Sequence, residues 1–509
     1  MAIDLGAFDP ALTGRVLDGG RLTHDSRLVE PGDVFAALAG TTPAAAAHVR
    51  VALERGAQAV LCDPGLVGDD APLGADGLDP RVIPVAGFAD SIGAIASAWY
   101  GDPSAALFVV GVTGTNGKTS TVQLLAQAWH SLGARSATIG TLGAAVHGDE
   151  LTLNGFTTPP VTRVHELLAE FRDRGVTHVA MEVSSHALEE RRVDGVAFDV
   201  VAYTNLTRDH LDYHGTMEHY AAQKAKIFEL RGAPAGSTAK AEWPLAVGNL
   251  DDPIVRERWH AIDPHRPRIG VSSRGRVDAT IRADGLRFEP ARTAFDLIVG
   301  DEAVATWTGL IGRFNVDNLL IAIAALRHQG VPLAELAAVA HQLRPVHGRM
   351  TRIHPDDTLP TVVVDAGHTP DALRQALAAV NEYDFARVIT VFGCTGDRDP
   401  GKRPEMARIA EDASDVVIVT DDDVHFEDGD KIVDEIRVGF AHPEAVTEIR
   451  DRTTAIDTAL RMARAGDVVL LAGKGHEPYQ IVGDEHVPFS DIETAERLLA
   501  TLLEERAAR

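Results

Sequence analysis

With 509 residues, 45% of them hydrophobic and 24% charged, the chain is too long for one ordinary core and reads as two to four globular domains. Its 48 basic against 74 acidic side chains, a net charge of −26, argue against non-specific nucleic-acid binding and against docking on anionic membranes, but not against a local basic pocket for a small anion. Two cysteines, Cys62 and Cys394, cannot build a disulfide framework or a cysteine zinc centre.

The N-terminal MAIDLGAFDP carries two acids and no basic stretch. No apolar run approaches the length of a membrane span, so the chain reads as cytoplasmic. Residues 1–103 read as a small α/β domain. A turn at Pro31-Gly32-Asp33 precedes a strand, and AAAAHVRVALERGAQAVLC reads as helix then strand, with Gly56 near the helix end. Loop 68–80 has the composition of a disordered segment. Tyr100-Gly101-Asp102-Pro103-Ser104 is a turn cluster that marks a boundary. Residues 104–343 alternate apolar runs with helical patterns, with strands expected at 107–112, 177–183 and 198–203. From 344 to 509 the pattern restarts, with strands at 361–365, 387–393, 414–420 and 467–472. The expected fold is α/β in three domains: a small N-terminal α/β domain, a central P-loop-like domain with a mostly parallel sheet, and a C-terminal Rossmann-like domain without G-x-G-x-x-G.

The chemistry begins at ALFVVGVTGTNGKTSTVQLLAQAWHSL, residues 106–132. An apolar strand runs into Gly114, Thr115, Asn116, Gly117, Lys118, Thr119 and Ser120, and an amphipathic helix follows. Strand, glycine loop and helix form a polyphosphate cradle: backbone N–H groups and the helix N-terminus face the phosphates, a lysine reaches β/γ oxygens, and a threonine hydroxyl meets Mg²⁺. The general pattern wants Gly at 112, where this chain has Val112. In open parallel sheets ligands bind beyond the carboxyl ends of strands, so the loop, residues 182–186 and residues 205–210 are expected at one crevice. Glu182 is then a candidate metal ligand rather than a surface strand-end acid. His210 and His214 are spaced four apart like a zinc pair, but no third ligand is visible at a suitable spacing. By spacing alone Lys224 is a solvated helix lysine.

These residues and others resemble the Mur ligases over nearly the whole length. The resemblance rests on DSRLVEPGDVF at 25–35, GVTGTNGKTS at 111–120, TTP at 157–159, MEVSSHAL at 181–188, NLTRDHLDYHGTMEHY at 205–220, GRFNVDN at 312–318, GRM at 348–350, GHTPDAL at 367–373, FGCTGDRDPGKRP at 392–404 and AGKGHEPYQ at 472–480. Most similar are the members that add the third residue of the peptidoglycan stem peptide. The resemblance implies an ATP- and Mg²⁺-dependent amide ligase that phosphorylates the terminal carboxylate of UDP-MurNAc-L-Ala-D-Glu. An amino acid then attacks the acyl phosphate. It implies a monomer with small-molecule partners only: this UDP-linked dipeptide, ATP and a diamino acid. By position, Lys118, Glu182, His210 and Lys224 are the catalytic set. Thr119, Glu182, His210 and Lys224 as a carbamate are the metal set. Asn318, Arg349 and Asp365 join residues 114–120 in binding ATP. Ser26, Thr157, Thr158, Ser184, Glu190 and Arg192 hold the UDP-linked substrate, and Arg398, Asp422, Asp423, His425, Gly473 and Glu477 the amino acid. A Mur-type ligase on another acid, and a nucleotide-binding relative without ligase activity, are the alternatives.

Three positions depart from the family pattern. Glu190 stands where many members have Gln, and Ala366-Gly367 replaces Tyr-Ala. Asp422-Asp423-Val424-His425 stands where diaminopimelate-adding members show Asp-Asn-Pro-Arg. Without that arginine, and with Asp422, Asp423, Glu427 and Asp428 crowded together, the segment suits a distal ammonium. The expected acceptor is L-lysine or L-ornithine ahead of meso-diaminopimelate.

Overall fold

The computed structural model describes residues 2–38, 42–68, 71–73, 79–152, 155–207, 209–232, 240–289, 291–346 and 348–507, so part of loop 68–80 lies outside the described residues. The chain forms two compact units, one of residues 1–271 with 321–329, the other of 272–320 with 330–509.

The first unit opens with a four-stranded parallel sheet of Leu22–Thr23, Val34–Ala36, Ala59–Cys62 and Val82–Pro84, in that order. Helices Pro43–Glu54 and Phe88–Trp99 cover it through two apolar clusters. Gly56, at φ 94°, follows the first of these helices. A larger sheet follows, with strands in the spatial order Arg268–Ser272, Leu245–Asn249, Val200–Tyr203, Phe108–Thr113, His178–Glu182, Ser136–Gly140 and Gly143–Val146. The first six run parallel and the last is an antiparallel edge. Buried on both faces, these strands read as continuous apolar runs, which is why they were legible. The strand Phe108–Thr113 lies between its chain-distant neighbours Val200–Tyr203 and His178–Glu182, the point at which strand order reverses. Val112 is in register with Glu182 and with Ala202, so position 112 belongs to the sheet rather than the loop and needs no glycine.

The second unit contains an antiparallel meander, Ile281–Glu289, Arg292–Val299 and Glu302–Thr308. Its main sheet has the order Thr351–Ile353, Thr361–Asp365, Val468–Ala472, Val388–Phe392, Val416–Val419 and Thr447–Glu448. All but the first strand are parallel. Alternate residues feed two cores: Val363 packs with Leu373 and Leu377 on one face, whereas Val362 and Val364 pack with Ile456 and Leu499 on the other. Among the described residues no helix is long and apolar enough to cross a membrane.

Candidate active site

The loop after Phe108–Thr113 is clamped by the loop after Val200–Tyr203. Thr204 Oγ1 donates to the Asn116 carbonyl at 2.6 Å, Thr115 N donates to the Asn205 carbonyl at 2.9 Å, and Asn116 N donates to Asn205 Oδ1 at 2.9 Å. Gly114, at φ 149°, is required by this closeness, because a Cβ there would stand 1.8 Å from Thr204 Oγ1. Helix Lys118–Ser131 starts after Gly117, at φ 85°, with no side-chain cap. Its first N–H groups are therefore left for an external acceptor, which is the anion-binding geometry of a helix N-terminus.

Lys118 Nζ donates to the carbonyls of Gly114 at 2.9 Å and Thr115 at 3.0 Å. Beside it, Thr119 Oγ1 donates to Glu182 Oε1 at 2.9 Å. Glu182 is 1% exposed and also accepts from the Thr141 N–H at 2.9 Å and from Thr141 Oγ1 at 3.2 Å. Gly140 makes room for it, since a Cβ there would lie 2.2 Å from Glu182 Oε1. Burial raises the Glu182 carboxyl above its ordinary range, against the opposing pull of Lys118 and the Thr141 and Thr119 bonds. A buried carboxylate paired with a hydroxyl suits a hard cation that takes oxygen ligands. Lys224 is not the solvated lysine its spacing suggests: it is 1% exposed, and its Nζ donates to the Gly114 carbonyl at 2.8 Å and lies 4.8 Å from the Tyr220 ring centroid. Burial first, then the charge of Lys118, pushes this amine well below its usual range. That shift favours the uncharged amine, the nucleophilic form that adds CO₂. His210, at φ 49° and largely exposed, pairs with Asp209 at 3.3 Å, and its ring lies 6.2 Å from that of Tyr220.

On the other side of Glu182, Thr158 Oγ1 donates to the Glu182 carbonyl at 2.8 Å and accepts from Ser184 N at 3.0 Å. Thr157 Oγ1 is 3.1 Å from Thr141 Oγ1. Arg192 donates to the Thr158 carbonyl at 2.8 Å and to Glu190 Oε2 at 2.9 and 2.7 Å. The Glu190 departure is thereby accounted for locally: its carboxylate balances Arg192. Ser26 is buried apart from this group, 3.2 Å from His48 Nδ1. Asn205 stands at the crevice where the sequence placed it, whereas Thr141 and Tyr220 were missed, because their roles appear only once three strand ends are brought together.

In the second unit, Asp365 is buried and accepts from Met350 N at 2.9 Å and Gly367 N at 2.8 Å, and burial raises its carboxyl. Gly473 N donates to the Asp365 carbonyl at 3.0 Å, which draws in the segment 473–477. A Cβ on Gly475 would stand 2.4 Å from Ala366 Cβ, so a small residue at 366 fits the departure there. Arg349 is exposed beside Asp365, and buried Asn318 donates to Asn315 Oδ1 at 3.3 Å. Loop 394–398 is bonded to the segment 422–427: Gly396 N donates to the Asp423 carbonyl at 2.7 Å and Phe426 N to Asp397 Oδ2 at 3.0 Å.

The acids of that segment are not a free acidic patch. Lys474 Nζ, fully buried, lies 2.7 Å from Asp423, 2.8 Å from Glu477 and 3.6 Å from Asp422. Arg403, also buried, holds Glu427 at 2.7 Å and Glu435 at 2.6 Å. Asp428 caps helix Gly429–Arg437 through Asp430 N. The expectation that these acids would greet a distal ammonium is thereby weakened, since Asp423 and Glu427 already have cationic partners. Lys474, inside the motif AGKGHEPYQ, is the residue whose role sequence reading missed. Arg398 is exposed and, among the described residues, carries no ion pair, and His425 is half-buried at φ 50°.

Comparison with known proteins agrees with this geometry. Residues 112–326 match the Mur ligase middle domain, and residues 348–475 match the Mur ligase glutamate ligase domain. The UDP-N-acetylmuramoyl-L-alanyl-D-glutamate–2,6-diaminopimelate ligase of Xylella fastidiosa (strain 9a5c) is 49% identical, covering 96% of this chain and 95% of that protein. The protein of the same name from Xanthomonas campestris pv. campestris (strain 8004) is 48% identical, covering 98% and 97%. A solved structure of a ligase with this name superposes with a TM-score of 0.76 at 30% identity, covering 99% of each chain. The chain belongs to the Mur ligase family and is an ATP-dependent ligase of the UDP-N-acetylmuramoyl-tripeptide synthetase type.

Proposed function

We propose that the chain joins 2,6-diaminopimelate to UDP-MurNAc-L-Ala-D-Glu, using ATP to activate the terminal carboxylate as an acyl phosphate. Two observations support this acceptor over lysine or ornithine. Relatives named for 2,6-diaminopimelate are 43–49% identical over nearly the full length. Of the acids that had suggested a simple basic amino acid, Asp423 is paired with Lys474 and Glu427 with Arg403. The exposed guanidinium of Arg398, which carries no ion pair among the described residues, with His425 on the segment bonded to its loop, would meet a second carboxylate.

The observation that carries the activity is Glu182 buried against Thr119 at the foot of the loop. Residues 114–120 would cradle the phosphates, and Lys118 would offset charge on the group being transferred. Thr119, Glu182, His210 and a carbamate on Lys224 would hold Mg²⁺, which screens phosphate charge when bound. Thr157, Thr158, Ser184 and Arg192 would position the peptide carboxylate, and Ser26 the uridine end. Asn318, Arg349 and Asp365 would hold the nucleoside and phosphates. Asp422, Asp423, Gly473 and Glu477, set by Lys474, would shape the amino-acid pocket and orient its amine for attack. The divisions 1–103, 104–343 and 344–509 are the matching functional domains. A monomer acting on cytoplasmic precursors is the form this reading takes. The test is phosphate release with the UDP-linked dipeptide, ATP and 2,6-diaminopimelate, with the product weighed by mass spectrometry. Release that requires all three, with the tripeptide formed, is expected; ATP hydrolysis indifferent to the amino acid would overturn the reading.

A further inference from the structure

A second group of ligating side chains lies outside the phosphate loop. Helix Ser185–Glu189 ends on Glu189, helix Leu211–His214 ends on His214, and helix Met217–Ala225 carries His219. Glu189 Oε2 is 3.1 Å from His214 Nδ1, and Glu189 Oε1 is 3.1 Å from His219 Nε2. One ligand atom from each of the three lies within 4.8 Å of the others. The His214 side chain is fully buried, and its other nitrogen, Nε2, is engaged by Ser185 Oγ at 2.9 Å. His214 Nδ1 and Glu189 Oε2 are nevertheless both buried without a hydrogen-bond partner. The two atoms stand 3.1 Å apart, a separation that a cation bound to both would span.

The donor set decides which cation. Two imidazoles and one carboxylate are the ligands of a tetrahedral zinc site that keeps one position open, and Mg²⁺ prefers an all-oxygen shell. Ser185 on the far nitrogen of His214 is the outer partner such a ligand needs to fix its ring. Gln223, whose Nε2 lies 3.4 Å from His219 Nε2 and whose Oε1 is buried without a partner, is a polar neighbour of the cluster. The pair suggested by spacing, His210 and His214, is not the one the fold assembles; His214 meets His219 instead.

We propose that Glu189, His214 and His219 form a binding site for a divalent transition metal, zinc above all, separate from the Thr119–Glu182 pair. The metal would tie together three short helices, the last of which carries Lys224 to the phosphate loop.

The experiment uses the full chain, stripped of metal by chelation and dialysed, then titrated with Co²⁺ in a large excess of Mg²⁺. One equivalent of Co²⁺ should give the visible ligand-field absorption of a tetrahedral nitrogen–oxygen site, and Zn²⁺ should bleach it. Glu189→Gln and His219→Ala alter partly exposed side chains and should each weaken Co²⁺ binding by about tenfold or more. Glu182→Gln removes the carboxylate beside the phosphate loop and should leave the band in place. Absence of stoichiometric uptake would overturn the proposal, as would a band unchanged in the Glu189→Gln/His219→Ala double variant.

Discussion

The phosphate loop presents two lysines whose surroundings invert their ordinary roles. Lys118 is held by two backbone carbonyls; if it offsets phosphate charge as proposed, Lys118→Ala should lower turnover by about 10²–10³-fold with the fold retained, as measured by phosphate release and circular dichroism. Lys224 is buried with its amine driven toward the neutral form, so a carbamate should form on it at neutral pH. Mass spectrometry under mild conditions, or ¹³C NMR with labelled bicarbonate, should find the adduct, and Lys224→Ala should be nearly inactive yet partly rescued by a short carboxylic acid. An unmodified, fully active chain would contradict this. Glu182 gives a pH prediction. Burial raises its carboxyl above the ordinary 4.5, so the folded chain keeps that proton to higher pH than the unfolded chain does. The associated stability is present below the unfolded value and is lost as pH rises through the folded one. In metal-free buffer Glu182→Gln should therefore melt above the parent at about pH 7.5, with the gap closing toward about pH 4.5. Thermal melts across that range check it, and a parent as stable as the variant at the higher pH would contradict it.

At the scale of elements, the sequence was most legible where strands are buried on both faces. The runs expected at 361–365, 387–393 and 467–472 are found at 361–365, 388–392 and 468–472. The antiparallel meander at 281–308 was not read: strands such as Ile281–Glu289 are half exposed and lack the continuous apolar run that marks the parallel strands. The meeting of residues 113–119, 182–185 and 204–207 was legible from the rule for parallel sheets. The identity of the bonds was not, since Thr141–Glu182 and Tyr220–Thr115 join residues 41 and 105 positions apart. The second unit holds a pair that periodicity does not reveal: Arg452 and Asp491, both fully buried, joined by two bonds of 2.7 Å. Asp491→Ala strands the guanidinium, and the loss of about 3–5 kcal/mol should appear in urea denaturation. A loss below about 1 kcal/mol would show that the pair is solvated.

For the whole molecule, family membership was readable because ten ordered motifs span the length, but acceptor choice was not, because it depends on which charges are already spent inside the fold. A net charge of −26 says nothing of this, and neither does the acidic run at 421–423 until Lys474 is placed among its members. Lys474→Met should leave Asp422, Asp423 and Glu477 uncompensated, weaken binding of a dicarboxylic acceptor and move relative preference toward lysine, as read by KM for each amino acid. The measurement closest to the central claim is kcat/KM for meso-diaminopimelate, L-lysine and L-ornithine side by side, with the UDP-linked dipeptide and ATP saturating. Losing a charge partner for the second carboxylate typically costs about 2–5 kcal/mol, so the account predicts a preference of tenfold or more for diaminopimelate. Equal values, or a preference for lysine or ornithine, would contradict it.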